Sequence, residues 1–471
     1  MKYVLGIDLG TTSVKVSVVD ADTKRLVEHQ AKATNSEAPS SAPGAREQHV
    51  PTIISALNIC LSKLDADARR RVAEIGVCGQ MHGVVFWTAD ESRRPWQFQG
   101  KTYRIDDGAV SNLHTWQDGR CSPRFLALLP KPDSHLGVSA GFGVPTMFWL
   151  LKNSPGFFKK YTKCGPISSF VVAMLTDQVH PYTSEQNAAS WGYFNCRTSA
   201  WNLKLLEKYG LPVDMLPKVK PAGEIVGVLK ERWHGLPDGI PIGVDMGDLQ
   251  CSVLSTLTSD TDAVLNISTS AQMAFVAKKY IPPAGVPVVN PISYWPFFRN
   301  QFVAVAASLN GGNVLAMFVD TLKGWLADVG EPIDDDAVWT RLIAVAKTDN
   351  TKPELEIKPT CLGERFAPNL LGSVRNITAD NVELGHVFRA LCKGLVANLH
   401  SMMPARVLIE ANVDRIVGNG GGLFRNEVLQ EEVEKIYQLP LVFEQEGDAA
   451  RGAALAMIDF ERNSCCSNWP Q

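Results

Sequence analysis

The sequence lacks the features that mark secreted, membrane-spanning and nucleic-acid-binding proteins. Its ten cysteines form no C-x-x-C pair, and no run of roughly 18 apolar residues is free of charge. Lys and Arg number 46 against 49 Asp and Glu, and this balance gives no field that would hold a nucleic acid or an acidic membrane. The start also shows no export signal. We therefore expect a cytoplasmic protein with reduced thiols and a small-molecule partner.

Common ligand motifs are absent as well. The nine histidines contain no H-E-x-x-H motif and no pair at i, i+4 spacing, which argues against a zinc site. There is no Walker A motif, and no G-x-G-x-x-G with a ribose-binding acid downstream. P-loop and nicotinamide-binding proteins are thereby disfavoured.

What the chain does have is length and a regular alternation of patterns. Its 471 residues are about three times a typical domain length, so two large domains are expected. Glycine and proline recur over residues 210–247, and we place the boundary near residue 245, between lobes of residues 1–245 and 246–471. Alternating helical and strand patterns predict an α/β fold. Helices are predicted over 51–64 and 384–402, and strands over 72–78, 302–306 and 414–418.

Two short hairpins occupy similar places in the two halves. Strand-like runs at 3–9 and 14–20 flank one turn, and runs at 263–267 and 272–276 flank another. Small turn residues allow backbone N–H groups to approach phosphate oxygens closely. We interpret both turns, with a nearby lysine, as contacts to one triphosphate, and an ordinary hairpin loop is the alternative for each. The residues are Gly10, Thr11, Thr12, Ser13, Lys15, Ser268, Thr269 and Ser270.

Two acidic residues lie beside these hairpins. Asp8 ends the first strand, where a carboxylate would hold Mg²⁺ through water while the metal also binds phosphate. Asp248 follows the glycine- and proline-rich crossing, where an acid between two lobes would take the proton of a hydroxyl that accepts a phosphoryl group. An ordinary turn role is the alternative for Asp248.

Three further segments suit ligand contacts. After strand 414–418, a glycine-rich loop would approach a flat or charged ligand, or serve as a flexible turn; its residues are Gly420, Gly421 and Gly422, followed by Asn426. Two polar clusters follow: the first suits ligand contacts at the carboxyl end of a strand, with a structural histidine as the alternative, and the second suits a polyol, with a surface salt bridge as the alternative. Their residues are Gln80, Met81 and His82 in one cluster and Trp116, Asp118 and Arg120 in the other.

These motifs together resemble the FGGY family of carbohydrate kinases over nearly the whole chain. Residues 8–15 look like its first phosphate motif, and residues 80–83 and 116–120 look like its sugar-contact segments. Asp248 falls where the family keeps its catalytic base. Residues 420–422 look like its adenine-side loop, with Asn426 after it.

The resemblance also has implications for the fold and the co-substrate. It implies two ribonuclease-H-like, actin-like lobes with a cleft between them, and the use of ATP with Mg²⁺. Residues 362–365 look like the family's C-terminal signature. One departure is the second phosphate motif, where Ser268-Thr269-Ser270-Ala271 stands in place of the Gly-Thr-Ser-Gly of many members.

Within the family, three segments look like those of members that phosphorylate the seven-carbon ketose sedoheptulose to its 7-phosphate. They are residues 80–87, 186–195 and 307–313. Phosphorylation of D-xylulose to its 5-phosphate is the alternative within the family. From another class, the alternative is a non-catalytic or chaperone-like ATP-binding protein of the actin superfamily. The sequence leaves the oligomeric state open.

Overall fold

The computed structural model describes residues 2–466 apart from residues 41, 155, 286–289, 332, 348–353 and 445–446, with side chains up to residue 460. In this part of the chain, no helix combines the length and the apolar character that a membrane span needs.

The strands follow one another in chain order. They are β1 Tyr3–Leu9, β2 Ser13–Asp20, β3 Leu26–Ala33, β4 Glu37–Ala38, β5 Glu47–Gln48, β6 Val72–Gly79, β7 Val85–Trp87, β8 Trp96–Gln99, β9 Thr102–Ile105, β10 Leu113–His114, β11 Lys163–Gly165, β12 Tyr182–Ser184, β13 Phe194–Asn195, β14 Ala200–Trp201, β15 Lys218–Lys220, β16 Ile225–Val228, β17 Pro241–Gly243, β18 Met246–Gly247, β19 Asp262–Ile267, β20 Ala271–Ala277, β21 Ile292–Pro296, β22 Phe302–Ser308, β23 Glu356–Lys358, β24 Ser373–Arg375, β25 Arg415–Asn419 and β26 Leu441–Phe443.

The α-helices lie between these strands. They are α1 Val50–Lys63, α2 Ala66–Arg70, α3 Pro123–Leu126, α4 Gly143–Asn153, α5 Ile167–Thr176, α6 Glu185–Ser190, α7 Leu203–Lys208, α8 Asp248–Thr256, α9 Gly312–Asp328, α10 Asp335–Lys347, α11 Leu384–Met402, α12 Ala405–Glu410, α13 Gly421–Phe424, α14 Glu427–Tyr437 and α15 Ala449–Cys466.

The first large sheet is built around the predicted N-terminal hairpin. Its strand order is β16-β17-β6-β1-β2-β3, and β18 also pairs with β6. Because side chains alternate along a strand, Leu5, Ile7 and Leu9 of β1 share one face and pack into the core that α1 and α5 cover. Val4 and Asp8 belong to the opposite face. This alternation turns the Asp8 carboxylate away from the outer helices.

The second large sheet repeats this plan around the second hairpin. Its order is β21-β22-β20-β19-β25-β26, with β19 and β20 antiparallel and β19 parallel to β25. One face of this sheet packs against α9, α10, α11 and α14 in a core of its own.

Helices α8 and α15 lie between the two sheets. A third hydrophobic cluster joins residues of both sheets to these helices, including Val4 of β1, Val305 of β22 and Cys251 of α8. The backbones approach closely here, since a Cβ on Gly6 would stand 1.8 Å from the carbonyl oxygen of Ala450. The last helix of the chain therefore packs on the first sheet.

The structure confirms the predicted elements, with ends shifted by no more than a few residues. Predicted helices 51–64 and 384–402 correspond to α1 and α11, and predicted strands 72–78, 302–306 and 414–418 correspond to β6, β22 and β25. The boundary near residue 245 stays a prediction. The pairing of β18 with β6 extends the first sheet to Gly247.

Candidate functional site

The carboxyl ends of three parallel strands define the centre of the site. Asp8 of β1 is paired with Cys78 of β6, and Met246 of β18 is paired with the same cysteine from the other side. One residue further on, Leu9 and Gly247 flank Gly79 in the same way. Asp8 and the residues that follow β6 and β18 therefore emerge at one edge of the sheet.

Asp8 is a buried carboxylate in mixed electrostatic surroundings. Lys15, its partner across the hairpin, brings its Nζ atom to 3.9 Å from Asp8 Oδ2. Burial raises the pKa of Asp8 to about 7, and the negative charges of Asp248 and Asp448 add to this effect while Lys15 opposes it. A second positive charge near this carboxylate would favour its ionised form.

Asp248 is the first residue of helix α8, directly after β18. Its Oδ1 atom accepts a hydrogen bond of 2.8 Å from the backbone N–H of Leu249. Burial raises the pKa of the Asp248 carboxyl to about 6, while this hydrogen bond and the charge of Lys15 lower it. A carboxylate with this pKa is unprotonated at neutral pH and accepts a proton more readily than an ordinary aspartate does.

Two glutamines hold the first turn, residues 10–13, in place through hydrogen bonds. Gln80 Nε2 donates to Gln48 Oε1 at 2.9 Å, and Gln48 Nε2 donates to the carbonyl oxygen of Thr11 at 2.6 Å. Trp116 Nε1 donates to Thr11 Oγ1 at 2.9 Å. Gln80 and Trp116, predicted as sugar contacts, thus also position the turn that carries Thr11.

His82 follows the same strand and has an unusual backbone conformation. Its φ is +74°, and Ser190 holds it, since Ser190 Oγ accepts from the His82 backbone N–H at 3.1 Å. The Ser190 carbonyl oxygen accepts from Nδ1 at 2.8 Å, which leaves Nε2 as an unprotonated acceptor. Burial, with a smaller effect from the charge of Arg365, lowers the pKa of His82 to about 4. Met81 packs beside Gly247, just before Asp248.

Asp118 and Arg120 form a buried ion pair. Arg120 Nε donates to Asp118 Oδ1 at 2.9 Å, and Arg120 Nη1 lies 2.9 Å from Glu47 Oε1. Asp118 Oδ2 accepts from the backbone N–H of Arg46 at 3.0 Å, and Arg120 also contacts His114. The pair orders the loop that carries Trp116, and direct contact of the pair with a sugar stays a prediction.

A cavity of about 1350 Å³ brings the second turn and the glycine-rich loop together. Ser268, Thr269, Gly421, Gly422 and Asn426 all line it, although the two segments are more than 150 residues apart in the sequence. The turn is fixed from helix α9, because the backbone N–H groups of residues 312 and 313 donate to the carbonyl oxygens of residues 268 and 269.

Two residues of the glycine-rich segment have structural roles of their own. Gly420 has φ +92° at the end of β25, a conformation that favours glycine. Asn426 caps α14, since its Oδ1 accepts from the backbone N–H groups of Val428 and Leu429 at 3.1 and 3.2 Å. Its Nδ2 donates to Cys392 Sγ at 3.6 Å, so both ends of the Asn426 side-chain amide have partners in the fold, and its contact with a ligand stays a prediction.

Sequence reasoning missed three residues that surround His82. The Phe142 ring stacks on the imidazole with 4.4 Å between ring centroids, and the Trp295 ring lies edge-on at 5.8 Å. Arg365 is near enough for its charge to act on His82. Residue 365 lay in a segment noted only as a family signature, and no local pattern marked residues 142 and 295.

This arrangement brings together groups that suit the transfer of a phosphoryl group to a hydroxyl. Asp248, whose carboxyl has a raised pKa, follows β18. The turn predicted to bind phosphate follows β1, and His82, with Nε2 as an acceptor, follows β6 at the same sheet edge. The cavity next to the second turn is large enough for a nucleotide.

Comparisons with known proteins agree with this geometry. Residues 3–255 match the model of the N-terminal domain of the FGGY family of carbohydrate kinases. The chain is 48% identical to sedoheptulokinase of Mus musculus over 463 residues, which are 96% of this chain and 97% of that protein. It is 24% identical to xylulose kinase of Bacillus subtilis (strain 168), over 97% of this chain and 87% of that one.

The fold has solved relatives. The crystal structure of xylulose kinase from Rhodospirillum rubrum superposes with a TM-score of 0.80 at 19% identity, covering 97% of this chain and 89% of that one. The two sheets with their helices are thus the two-domain, actin-like fold that the sequence predicted.

Proposed function

Because the chain belongs to the FGGY family of carbohydrate kinases, an ATP-using family, we propose that it phosphorylates sedoheptulose at its terminal hydroxyl to give sedoheptulose 7-phosphate. The identity of 48% with a sedoheptulokinase over nearly the full length of both chains is the observation that carries the choice of sugar. The 24% identity with a xylulose kinase supports the same choice.

Asp248 is the general base in this proposal. Its carboxylate accepts the proton of the sugar hydroxyl as the bond to the γ-phosphorus forms and the bond to the β-phosphate oxygen breaks. Its place at the first position of α8, one strand from β6 and two from β1, supports this role. His82 Nε2, with Nδ1 fixed on Ser190, accepts a hydrogen bond from another sugar hydroxyl.

ATP occupies the cleft between the two turns in this proposal. The backbone of residues 10–13 and the Lys15 side chain contact the phosphates from the first lobe, and residues 268–270 contact them from the second. The cavity beside residues 420–422 receives the adenosine. Residues 339 and 343, a tryptophan and an isoleucine, add apolar lining there.

Asp8 fits a role in holding Mg²⁺. Among the described residues no group of three or more His, Cys, Asp or Glu could enclose a metal ion. Mg²⁺ does not need such a group, because it keeps several waters and takes phosphate oxygens as ligands beside one or two carboxylates. Asp8, buried beside the phosphate turn, supplies one such oxygen. The ion would neutralise charge that develops on the phosphates during transfer.

A coupled assay of ADP release over a panel of sugars tests the proposal. A seven-carbon ketose offers two more hydroxyls than a five-carbon one, and each buried partner left unpaired costs about 1–3 kcal/mol. We expect kcat/KM for sedoheptulose to exceed that for xylulose by at least about tenfold, with glycerol almost inert. Mass spectrometry should find one phosphate on the heptulose. A better rate with xylulose would make the assignment of the sugar wrong.

A further inference from the structure

The strand β21 carries an aromatic residue of the second sheet to the sugar-side histidine of the first. Trp295 lies on this edge strand, and its ring meets that of His82 with 5.8 Å between centroids and 71° between ring planes. The residue is half-buried. On the imidazole, Phe142 occupies a face by parallel stacking. The three rings form an aromatic wall that spans both sheets.

The position of Trp295 is fixed relative to the candidate base. Gln250, two residues after Asp248 on α8, donates from Nε2 to the carbonyl oxygen of Pro296 at 3.0 Å. On the other side, His135 Nε2 lies 2.8 Å from the carbonyl oxygen of Tyr294, which makes that nitrogen the donor. The residues before and after Trp295 are thus tied to the helix that begins with the base and to a loop of the N-terminal half.

Arg365 is near enough to this wall for its positive charge to act on His82. Arg365 follows Glu364, whose carboxylate is buried and accepts hydrogen bonds from residues 308, 309, 310 and 398. The backbone at residue 365 is therefore firmly placed, while the Arg365 residue itself is exposed. Among the described residues, no hydrogen bond or ion pair of its guanidinium is seen. Its donors are available to hydroxyls bound near His82.

We propose that Trp295 is a specificity-determining residue that forms, with Arg365, the part of the sugar site contributed by the C-terminal half of the chain. The indole packs against the C–H groups of a ketose whose hydroxyl is bound by His82 Nε2, and Arg365 donates to neighbouring hydroxyls of that ketose. An aromatic face suits this contact because a sugar presents apolar C–H groups between its hydroxyls. The proposal rests on the proposed function.

Sugar length decides how much this wall contributes. A seven-carbon chain has more C–H groups and hydroxyls to place on Trp295 and Arg365 than a five-carbon chain has. Loss of the indole should therefore weaken the longer sugar more than the shorter one. The lining that ATP contacts lies in the separate cavity next to α9 and α10, so the KM for ATP should stay nearly unchanged.

The test compares Trp295→Ala and Trp295→Phe with wild type and with a control tryptophan. Trp325, on α9, is 63% exposed and lies outside the site, so Trp325→Ala should behave as wild type. For Trp295→Ala we expect kcat/KM for sedoheptulose to fall by about tenfold or more, with a smaller fall for xylulose. Trp295→Phe should recover much of the sedoheptulose preference. Calorimetric titration with sedoheptulose alone should show the same order of binding.

Arg365→Gln provides a second, independent variant. Removing the charge should reduce sedoheptulose binding, and it should raise the apparent pKa of His82 in NMR titrations because the repulsion is lost. Neither change is expected in Arg341→Gln, a variant at an exposed position of α10.

The outcomes separate this inference from the proposed function. If wild type does not phosphorylate sedoheptulose, the proposed function fails, and the same variants are then measured with the sugar that wild type prefers. If wild type prefers sedoheptulose but Trp295→Ala lowers kcat/KM equally for every sugar and also lowers the melting temperature, Trp295 is structural and the inference is wrong. The inference is also wrong if Trp295→Ala and Trp295→Phe both keep the wild-type ratio of kcat/KM for sedoheptulose to kcat/KM for xylulose.

Discussion

Lys15 faces Asp8 across the first hairpin, with its Nζ atom 3.9 Å from Asp8 Oδ2. Burial is the main cause that raises the pKa of Asp8 to about 7. The negative charges of Asp248 and Asp448 add to this effect, whereas the charge of Lys15 lowers the pKa of Asp8. A divalent cation with a triphosphate would change that balance.

Removing the Asp8 carboxylate should expose its role toward Mg²⁺. In Asp8→Ala we expect a higher Mg²⁺ concentration for half-maximal rate and a lower kcat, because the metal loses a hard oxygen ligand or the water held by it. Magnesium titrations of the rate and Mn²⁺ binding followed by electron paramagnetic resonance provide the measurements. Asp238→Asn, on the exposed surface, is the control. A titration curve that overlays that of wild type would leave Asp8 a structural role.

Replacing the base should affect the chemical step and spare the binding of sugar. Asp248→Asn keeps the shape of the side chain and its hydrogen bond from Leu249, but it cannot accept the proton. We expect kcat to fall by roughly 10²–10⁴-fold. Calorimetry should find sedoheptulose binding within a few-fold of wild type. Near-normal kcat in this variant would contradict the assignment.

The rate should depend on pH through the same carboxylate. Burial raises the pKa of Asp248 to about 6, so its protonated, inactive form persists to higher pH than an ordinary aspartate allows. Activity is then present above pH 6 and is lost as pH falls through this value, by about tenfold per unit. His82, with a pKa of about 4, stays neutral over this range.

Profiles of kcat/KM for the sugar at saturating Mg²⁺ check this dependence. Saturation with the metal keeps Asp8 ionised, so that its own titration does not mask that of Asp248. The residual activity of Asp248→Asn should lack the limb near pH 6. A wild-type profile that stays flat down to pH 5 would show that the base is another group.

The sequence predicted local features well, because a strand, a turn and a nearby acid are neighbours in the chain. Both hairpins, and the position of Asp8 at the end of the first strand, follow from such local patterns. What it did not predict depends on distant pairing. Nothing near Trp295 or Phe142 indicates that they meet at His82, since the three come from elements far apart in the chain.

Some residues that the sequence predicted at the site also have partners within the fold. Asp118 and Arg120 were predicted as sugar contacts, with a salt bridge as the alternative; their partners in the fold are each other and Glu47, and contact with a sugar stays a prediction. Asn426 was predicted at the adenine side, and its oxygen caps a helix. Composition gives the chemistry that a side chain can offer, but the fold decides which partner uses it.

Close contact between α15 and the first sheet gives a prediction for stability. A Cβ at Gly6 would stand 1.8 Å from the carbonyl oxygen of Ala450, which is backbone and cannot rotate away. Gly6→Ala should therefore destabilise the protein by about 1–3 kcal/mol or more. Gly324 of α9 has open space around it, so Gly324→Ala should be neutral or stabilise by up to about 1 kcal/mol. Thermal denaturation that ranks the two variants in the opposite order would contradict this packing.

A second prediction for stability concerns the Glu364 carboxylate. This group joins its own segment to residues 308–310 and to residue 398. Its oxygens accept from Ser308 Oγ at 2.6 Å, Asn398 Nδ2 at 2.7 Å and Asn310 Nδ2 at 3.0 Å, and from the backbone N–H of residue 309 at 3.1 Å. All four groups are donors, and they match an ionised carboxylate, which accepts hydrogen bonds and donates none.

Glu364→Gln keeps the size of this side chain and converts one of its oxygens into an NH₂ group. That group would face a donor, so at least one buried donor loses its partner, at about 1–3 kcal/mol for each. We expect a lower melting temperature and, because residue 365 follows directly, a weaker preference for sedoheptulose over xylulose. Glu410→Gln, on the exposed end of α12, should change neither. If Glu364→Gln melts as wild type does, the donors have other partners, and the carboxylate does not hold these segments together.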